Sequence, residues 1–334
     1  MSGLPIAVLG AGSWGTALAV LLARNGVPTW LWGHDPAHME RLAADRENAQ
    51  FLPGVRLPPG LQLSAHLDTV LGAVGDLLLV VPSQVFGEVL DRVRTGSRSG
   101  IRVAWATKGL DPETARPLHE VVCDRLGPEV PVAVLSGPTF AREVARGLPT
   151  AVTVASPDTA FARDLALRVH SQTFRVYVSR DLVGVELGGS VKNVLAIAAG
   201  AADGLGLGAN TRAALITRGL AEMMRLGAEM GGEPATFMGL AGLGDLVLTC
   251  TDDQSRNRRM GLALARGLTV REAEADIGQV VEGVTTALEV ERLADRHGVE
   301  MPICHQVYRV LHEGLSPQEA VKALLGREDA HAER

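Results

Sequence analysis

"IAVLGAGSWGTALAVLLARNG", residues 6–26, is the stretch on which the fold turns. It opens as a short apolar strand, passes through Gly10, Gly12 and Gly15, and continues as a helical pattern ending near Gly26. The spacing has a physical reason. The first glycine admits a tight turn, the second lets backbone approach a pyrophosphate, and the third lets helix and strand pack closely. The helix N-terminus then presents N–H groups to the phosphates. A lone GxGxxG is a weak signal, but strand, helix and N-terminal position agree here. We expect this turn to bind a dinucleotide and not to be a bare structural turn.

Working outward, similar apolar runs recur: "TWLWG" (29–33), "LLLVV" (77–81), "RVAWAT" (102–107) and "PVAVLSG" (131–137). Each is about as long as a central strand of a parallel sheet covered on both faces. "TAVTVAS" (150–156) and "FRVYVS" (174–179) add two more. Strands alternating with helical patterns predict an α/β, Rossmann-type, doubly wound domain over 1–182. From about residue 183 strand signals vanish, and an all-helical domain is expected over 183–327, followed by a charged tail at 328–334. In 213–230, Ile216, Leu220, Met223, Met224 and Gly227 form one stripe, with the methionines read as core filler. Arg218, Glu222, Arg225 and Glu229 form a second stripe, expected to carry two i,i+4 ion pairs.

Composition narrows the function classes. A chain of 334 residues can bury two cores, and a net charge of −6 offers no basic face for nucleic acid. An anionic substrate must therefore be met by a local cluster of donors. Three widely spaced cysteines, with no CxxC, suit free thiols in a reducing cytoplasm. The start "MSGLPIAVLG" lacks a positive n-region, and nothing approaches the roughly 20 consecutive apolar residues of a membrane span. No membrane insertion and no metal site are expected.

Polar residues stand where strands or helices end, which is where an open α/β sheet presents its ligand crevice. His34 and Asp35 follow the second run, Asp35 lying 20 residues beyond Gly15. An acid there bonds a ribose 2′-hydroxyl and favours NAD, or it simply caps the helix that begins at Pro36. Lys108 follows another run, and "LSGPTFARE" (135–143) offers Gly137 and Thr139 as donors. Taken alone, both could be ordinary loop. Asp245 is the one charge in the apolar stretch "GLAGLGDLVLT", so it is either partnered or costly. Ser255 can cap the helix that follows, with Arg256 and Asn257 placed to hold a phosphate and Arg258 and Arg259 expected to face solvent. Lys192 sits in "GVELGGSVKNVLAIAAG" (184–200), among small apolar residues. It either snorkels to the surface or is desolvated, and a desolvated lysine can pass a proton to and from an oxygen near neutral pH. Hydride transfer at a CH–OH carbon needs such a partner, and Asp245 is its candidate companion.

With these residues assembled, the chain resembles the bacterial-type NAD(P)-dependent sn-glycerol-3-phosphate dehydrogenases. The resemblance rests on "GAGSWGTALA", "VVPSQVF", "WATKGL", "SGPTFA", "LGGSVKNVLAIAAG", "LITRGLAEM", "GLAGLGDLVLTCT", "SRNRRMG" and "VVEG", in family order over roughly residues 5–326. It implies reversible reduction of dihydroxyacetone phosphate, a small phosphorylated substrate, to sn-glycerol 3-phosphate. It further implies supply of glycerophospholipid synthesis by a cytoplasmic homodimer. By resemblance Lys192 is the proton acceptor, and Lys108, Gly137, Thr139, Lys192, Asp245, Ser255, Arg256 and Asn257 contact substrate. Gly10, Gly12 and Gly15 form the dinucleotide turn, and Ser13, Trp14, His34, Lys108, Ala141, Arg256, Val280 and Glu282 match cofactor contacts. The cofactor is NAD(P)H, leaning to NADPH with NADH kept open. Two rival readings are a β-hydroxy-acid or sugar-phosphate dehydrogenase of similar build, and a non-catalytic dinucleotide sensor. "SRNRRMG" speaks against the first, and the joint presence of Lys192, Asp245 and Arg256 against the second.

Overall fold

A computed structural model describes residues 4–97 and 100–326; the charged tail expected at 328–334 lies outside the described residues. The chain divides into two compact units, Met1–Asp111 with Pro117–Glu186, and Pro112–Arg116 with Leu187–Arg334.

The first unit carries an eight-stranded sheet: β1 (Ile6–Leu9), β2 (Thr29–Trp32), β3 (Gln62–Ser64), β4 (Asp76–Leu79), β5 (Arg102–Trp105), β6 (Val132–Ser136), β7 (Thr150–Ala155) and β8 (Phe174–Ser179). The order is β3-β2-β1-β4-β5-β6-β7-β8. Ile6 stands level with Thr29 on one side and Asp76 on the other, so strand order reverses at β1. All pairs are parallel except β6 with β7. β1 and β4 are buried along their whole length, as continuous apolar runs require. β3 has no apolar run in the sequence: "QLS" is three residues on the sheet's edge, half-exposed and paired only to β2.

At the edge where β4 and β5 begin, buried Asp76 binds Arg102 and Arg168, each at 2.6 Å, and Asp164 extends the cluster. This ionic staple anchors the end of the sheet away from the glycine turn. The strands can therefore present their C-terminal ends for other work.

The second unit has no strand among the described residues. Its longest helix, Leu182–Gly204, begins in the last residues of the first unit. By length and mean hydropathy (1.4) this helix could cross a membrane, but 89% of the relevant window is buried inside the protein, as in a core helix. Segment Pro234–Thr251 passes the same test at 1.2, yet it is broken by a π-helical turn at Leu240–Gly244.

Two expectations from the sequence fail here. Glu222 does not join a surface ion pair. It is buried and accepts the backbone N–H groups of Ile303 (2.7 Å) and Cys304 (3.1 Å), which open the helix Pro302–His312. Arg225 donates to the carbonyl of Glu300. Unsatisfied N–H groups of a buried helix start outcompete a weak exposed ion pair. Arg258 does not face solvent either; it is 9% exposed and donates from Nε and Nη1 to acceptors of the protein. Met223 is core, while Met224 is half-buried.

Candidate functional site

In the first unit the glycine turn is built as its spacing demands. Gly10 adopts φ +126°, open to glycine, and a Cβ there would strike the Val80 carbonyl. A Cβ on Gly15 would strike the Gly10 carbonyl, so the third glycine is what lets helix Ser13–Arg24 sit on β1. Gly12 differs: a Cβ there would meet nothing within 4 Å. It caps the helix without any side-chain acceptor. Open space in front of an uncapped helix start fits a pyrophosphate, so the residues present fit a dinucleotide.

The turn is braced from below by a residue that sequence reasoning missed. Asn48, wholly buried, donates through Nδ2 to the Ala11 carbonyl (2.9 Å) and to Thr16 Oγ1 (2.8 Å). Ser13 and Trp14 open the helix, and the Trp14 indole Nε1 is buried without a partner. His34 and Asp35 are exposed after β2, and Asp35 accepts the Ala37 N–H at 3.0 Å as a helix cap. Lys108, after β5, donates from Nζ to the Gly137 carbonyl (3.2 Å), after β6, and Thr139 Oγ1 donates to the same oxygen (3.1 Å). Ala141 begins the next short helix. Lys108, Gly137 and Thr139 thus form one cluster at the carboxyl ends of the strands.

In the second unit the small residues around Lys192 have a structural purpose. A Cβ on Gly188 would lie 2.5 Å from the Ala241 carbonyl, in the π-helical turn just before Asp245. A Cβ on Gly200 would strike the Arg258 carbonyl, and one on Gly261 the Ile197 carbonyl. The helix therefore packs backbone against backbone on two neighbours, one carrying Asp245 and one carrying Arg256. Lys192, 6% exposed, does not snorkel. Its Nζ donates to Asp245 Oδ1 at 2.9 Å and to Thr249 Oγ1 at 2.8 Å, and Thr249 also donates to the Asp245 carbonyl. The buried charge of Asp245 is thereby partnered. Beside them Cys250 stays a thiol, burial pushing its pKa up to about 12 against the opposing pull of Lys192.

The next residue along, Asn193, reaches the phosphate candidate. Asn257 donates to Asn193 Oδ1 (2.9 Å) and accepts the Gly283 N–H (2.9 Å). Ser255 caps the helix Arg256–Ala265 by accepting the Arg258 N–H. Arg256 donates to the Val280 carbonyl (2.7 Å) at the approach to the helix that starts with Glu282. Removal of water pulls the Arg256 guanidinium below its ordinary value, and Glu282 pushes it back up. Lys192, Asp245, Ser255, Arg256, Asn257, Val280 and Glu282 accordingly fall on linked elements of one unit. Thr249 and Asn193, which lie within quoted motifs but had been given no role of their own, complete those links. No group of metal-ligating side chains occurs among the described residues.

Comparison with known proteins gives a consistent picture. Residues 5–162 match the family described as NAD-dependent glycerol-3-phosphate dehydrogenase N-terminus, and residues 181–322 its C-terminus. A protein of Photobacterium profundum named glycerol-3-phosphate dehydrogenase [NAD(P)+] is 59% identical over 97% of this chain and 96% of its own. One of the same name from Aeromonas hydrophila is 60% identical, covering 97% and 98%. The crystal structure of glycerol-3-phosphate dehydrogenase from Coxiella burnetii superposes with a TM-score of 0.94 at 53% identity, covering 97% of this chain and 99% of that one.

Proposed function

The chain belongs to the NAD-dependent glycerol-3-phosphate dehydrogenase family, and from that premise we propose how its residues interconvert dihydroxyacetone phosphate and sn-glycerol 3-phosphate. The observation that carries the reading is the buried ammonium of Lys192, held between Asp245 and Thr249.

When bound, the reduced nicotinamide supplies a hydride to the carbonyl carbon. Gly10, Gly12 and Gly15, with Ser13 and Trp14, hold the dinucleotide at the helix start. His34, Lys108, Ala141, Arg256, Val280 and Glu282 complete its contacts. Lys192 gives a proton to the carbonyl oxygen as that oxygen gains negative charge, and takes it back in the oxidation. Asp245 aims the amine and opposes loss of its charge against the effect of burial, while Thr249 restricts its swing. Arg256 and the first turn of its helix, capped by Ser255, bind the phosphate, with Asn257 fixing that turn against Asn193 and Gly283. Lys108, Gly137 and Thr139 contribute further substrate contacts. The phosphate lies remote from the reacting carbon, so its binding chiefly positions that carbon.

Asp35 caps its helix through Oδ1 and exposed His34 stands beside it, and the lean to NADPH over NADH is taken from the family resemblance at Trp14 and His34. By family resemblance the enzyme is a cytoplasmic homodimer that supplies glycerophospholipid synthesis. Light scattering would test the dimer.

The reading is tested by following oxidation of NADPH, and separately of NADH, with dihydroxyacetone phosphate, using wild type and Arg256→Ala. Wild type should turn over, faster with NADPH. Because Arg256 is also assigned a cofactor contact, the comparison is made at saturating NADPH, where Arg256→Ala should lose about 10²-fold or more in kcat/KM on the phosphorylated substrate and change little on dihydroxyacetone, the scale expected when a positioning clamp is lost. Equal losses on both substrates would remove Arg256 from phosphate recognition.

A further inference from the structure

We infer that Arg258 is a positioning residue for the substrate-phosphate subsite, fixing the loop and helix turn that carry Ser255, Arg256 and Asn257. The inference rests on the phosphate reading of those three residues and adds what holds them in place.

The sequence gives no hint of this, since Arg258 is one of three arginines in "SRNRRMG". The structure separates them. Arg256 reaches Val280, whereas Arg258 turns back into the protein. Its Nε donates to Asp253 Oδ1 at 2.8 Å, within the loop that precedes Ser255. Its Nη1 donates to Asp203, near the end of the Lys192 helix, and to the Cys250 carbonyl at 3.2 Å. Cys250 lies on the helix bearing Asp245 and Thr249. The backbone N–H of Arg258 itself donates to the capping oxygen of Ser255. One planar guanidinium thus joins the Lys192 helix, the Asp245 helix and the loop, at the residue after Asn257.

Geometry makes the role specific to arginine. The three acceptors are met from two nitrogens of one rigid fork, Asp253 from Nε and both Asp203 and the Cys250 carbonyl from Nη1, a directional spread that a single ammonium cannot reproduce. Asp203 also accepts from Arg212 at 2.8 Å, a contact that does not reach the loop. By contrast the Asp253 side chain is 71% exposed and stays in place through the Arg258 contact. Loosening Arg258 should therefore release the loop and the first helix turn while Lys192 keeps its own partners.

The test uses Arg258→Lys, Asp253→Ala and Arg212→Ala, each assayed with NADPH and either dihydroxyacetone phosphate or dihydroxyacetone. Arg258→Lys should raise KM for the phosphorylated substrate about 10-fold, with kcat within about 3-fold and NADPH affinity unchanged. Its kcat/KM on dihydroxyacetone should stay within about twofold of wild type, which a merely structural defect would not spare. Asp253→Ala should move KM the same way by about 3-fold, and Arg212→Ala, which leaves the loop tie intact, should not move it. Equal losses on both substrates, or an unchanged KM in Asp253→Ala, overturn the inference; should Arg258→Lys fail to fold, Asp253→Ala decides alone. Arg256→Ala run alongside separates the two ideas. If it alone discriminates between the substrates, the inference fails and the phosphate reading stands. If it too affects both alike, the phosphate reading falls and carries the inference with it.

Discussion

Gly188→Ala offers a way to part the proton donor from its partner without touching either. Gly188 precedes Lys192 by one helical turn, and Ala241 precedes Asp245 by one turn. A methyl on Gly188 would sit 2.5 Å from the Ala241 carbonyl and 3.4 Å from Gly242 Cα, the latter an ordinary contact. Reaching ordinary distance at the oxygen demands a shift of 3.4 − 2.5 = 0.9 Å between the two backbones. Passed on undiminished along the Lys192–Asp245 direction, that shift would carry their 2.9 Å contact beyond hydrogen-bond range. Overpacking of this kind costs about 1–3 kcal/mol. For a unit of this size each kcal/mol lowers Tm by about 2–4 °C. Misplacement by nearly an ångström should also cost about 10–100-fold in kcat. Steady-state kinetics with NADPH and dihydroxyacetone phosphate, paired with thermal unfolding, measures both. Gly72→Ala is the control, since a Cβ there meets nothing within 4 Å on a surface helix, and it should be neutral or slightly stabilising. Wild-type kcat and Tm in Gly188→Ala would refute the claim that backbone contact at Gly188 sets the Lys192–Asp245 geometry.

Two further outcomes follow from buried groups. Asn48→Ala removes both bonds that brace the glycine turn and should weaken NADPH binding about 10-fold by fluorescence titration, a change of about 1–2 kcal/mol; an unchanged Kd would show that the turn holds its shape unaided. Burial raises the Cys250 thiol to about 12 and Cys304 well above its ordinary value, while Cys123 is exposed. Because the thiolate is the reactive form, a disulfide reagent near about pH 8 should modify one thiol of the native protein and all three after denaturation. Rapid native reaction of a second thiol would contradict the packing around Lys192 or Glu222.

Much of the fold was legible because its signals are local. The strand, turn and helix of 6–26 lie within one short stretch, and each remaining apolar run became a strand. β3 escaped notice since a three-residue polar edge strand buries too little to leave a pattern. Site residues at element ends could be picked out by type and position: Ser255 and Asp35 are caps, as their side chains allow. What could not be read was which distant residues meet. Lys192 and Thr249 are 57 positions apart, Asn193 and Asn257 are 64 apart, and Arg258 and Asp203 are 55 apart. Charge pointed Arg258 to solvent and i,i+4 spacing pointed Glu222 to an ion pair along its helix, although helix ends and loops supply buried partners for both. Small residues at 188, 200 and 261 were visible, but their reason lay in neighbouring backbones.

The account stands or falls on proton transfer by Lys192, and the most direct measurement is the turnover of Lys192→Ala with saturating NADPH and dihydroxyacetone phosphate. Loss of the general acid should lower kcat by about 10²–10⁴-fold while the Kd for NADPH stays at the wild-type value. A variant that binds NADPH normally and turns over at a near-normal rate would contradict it.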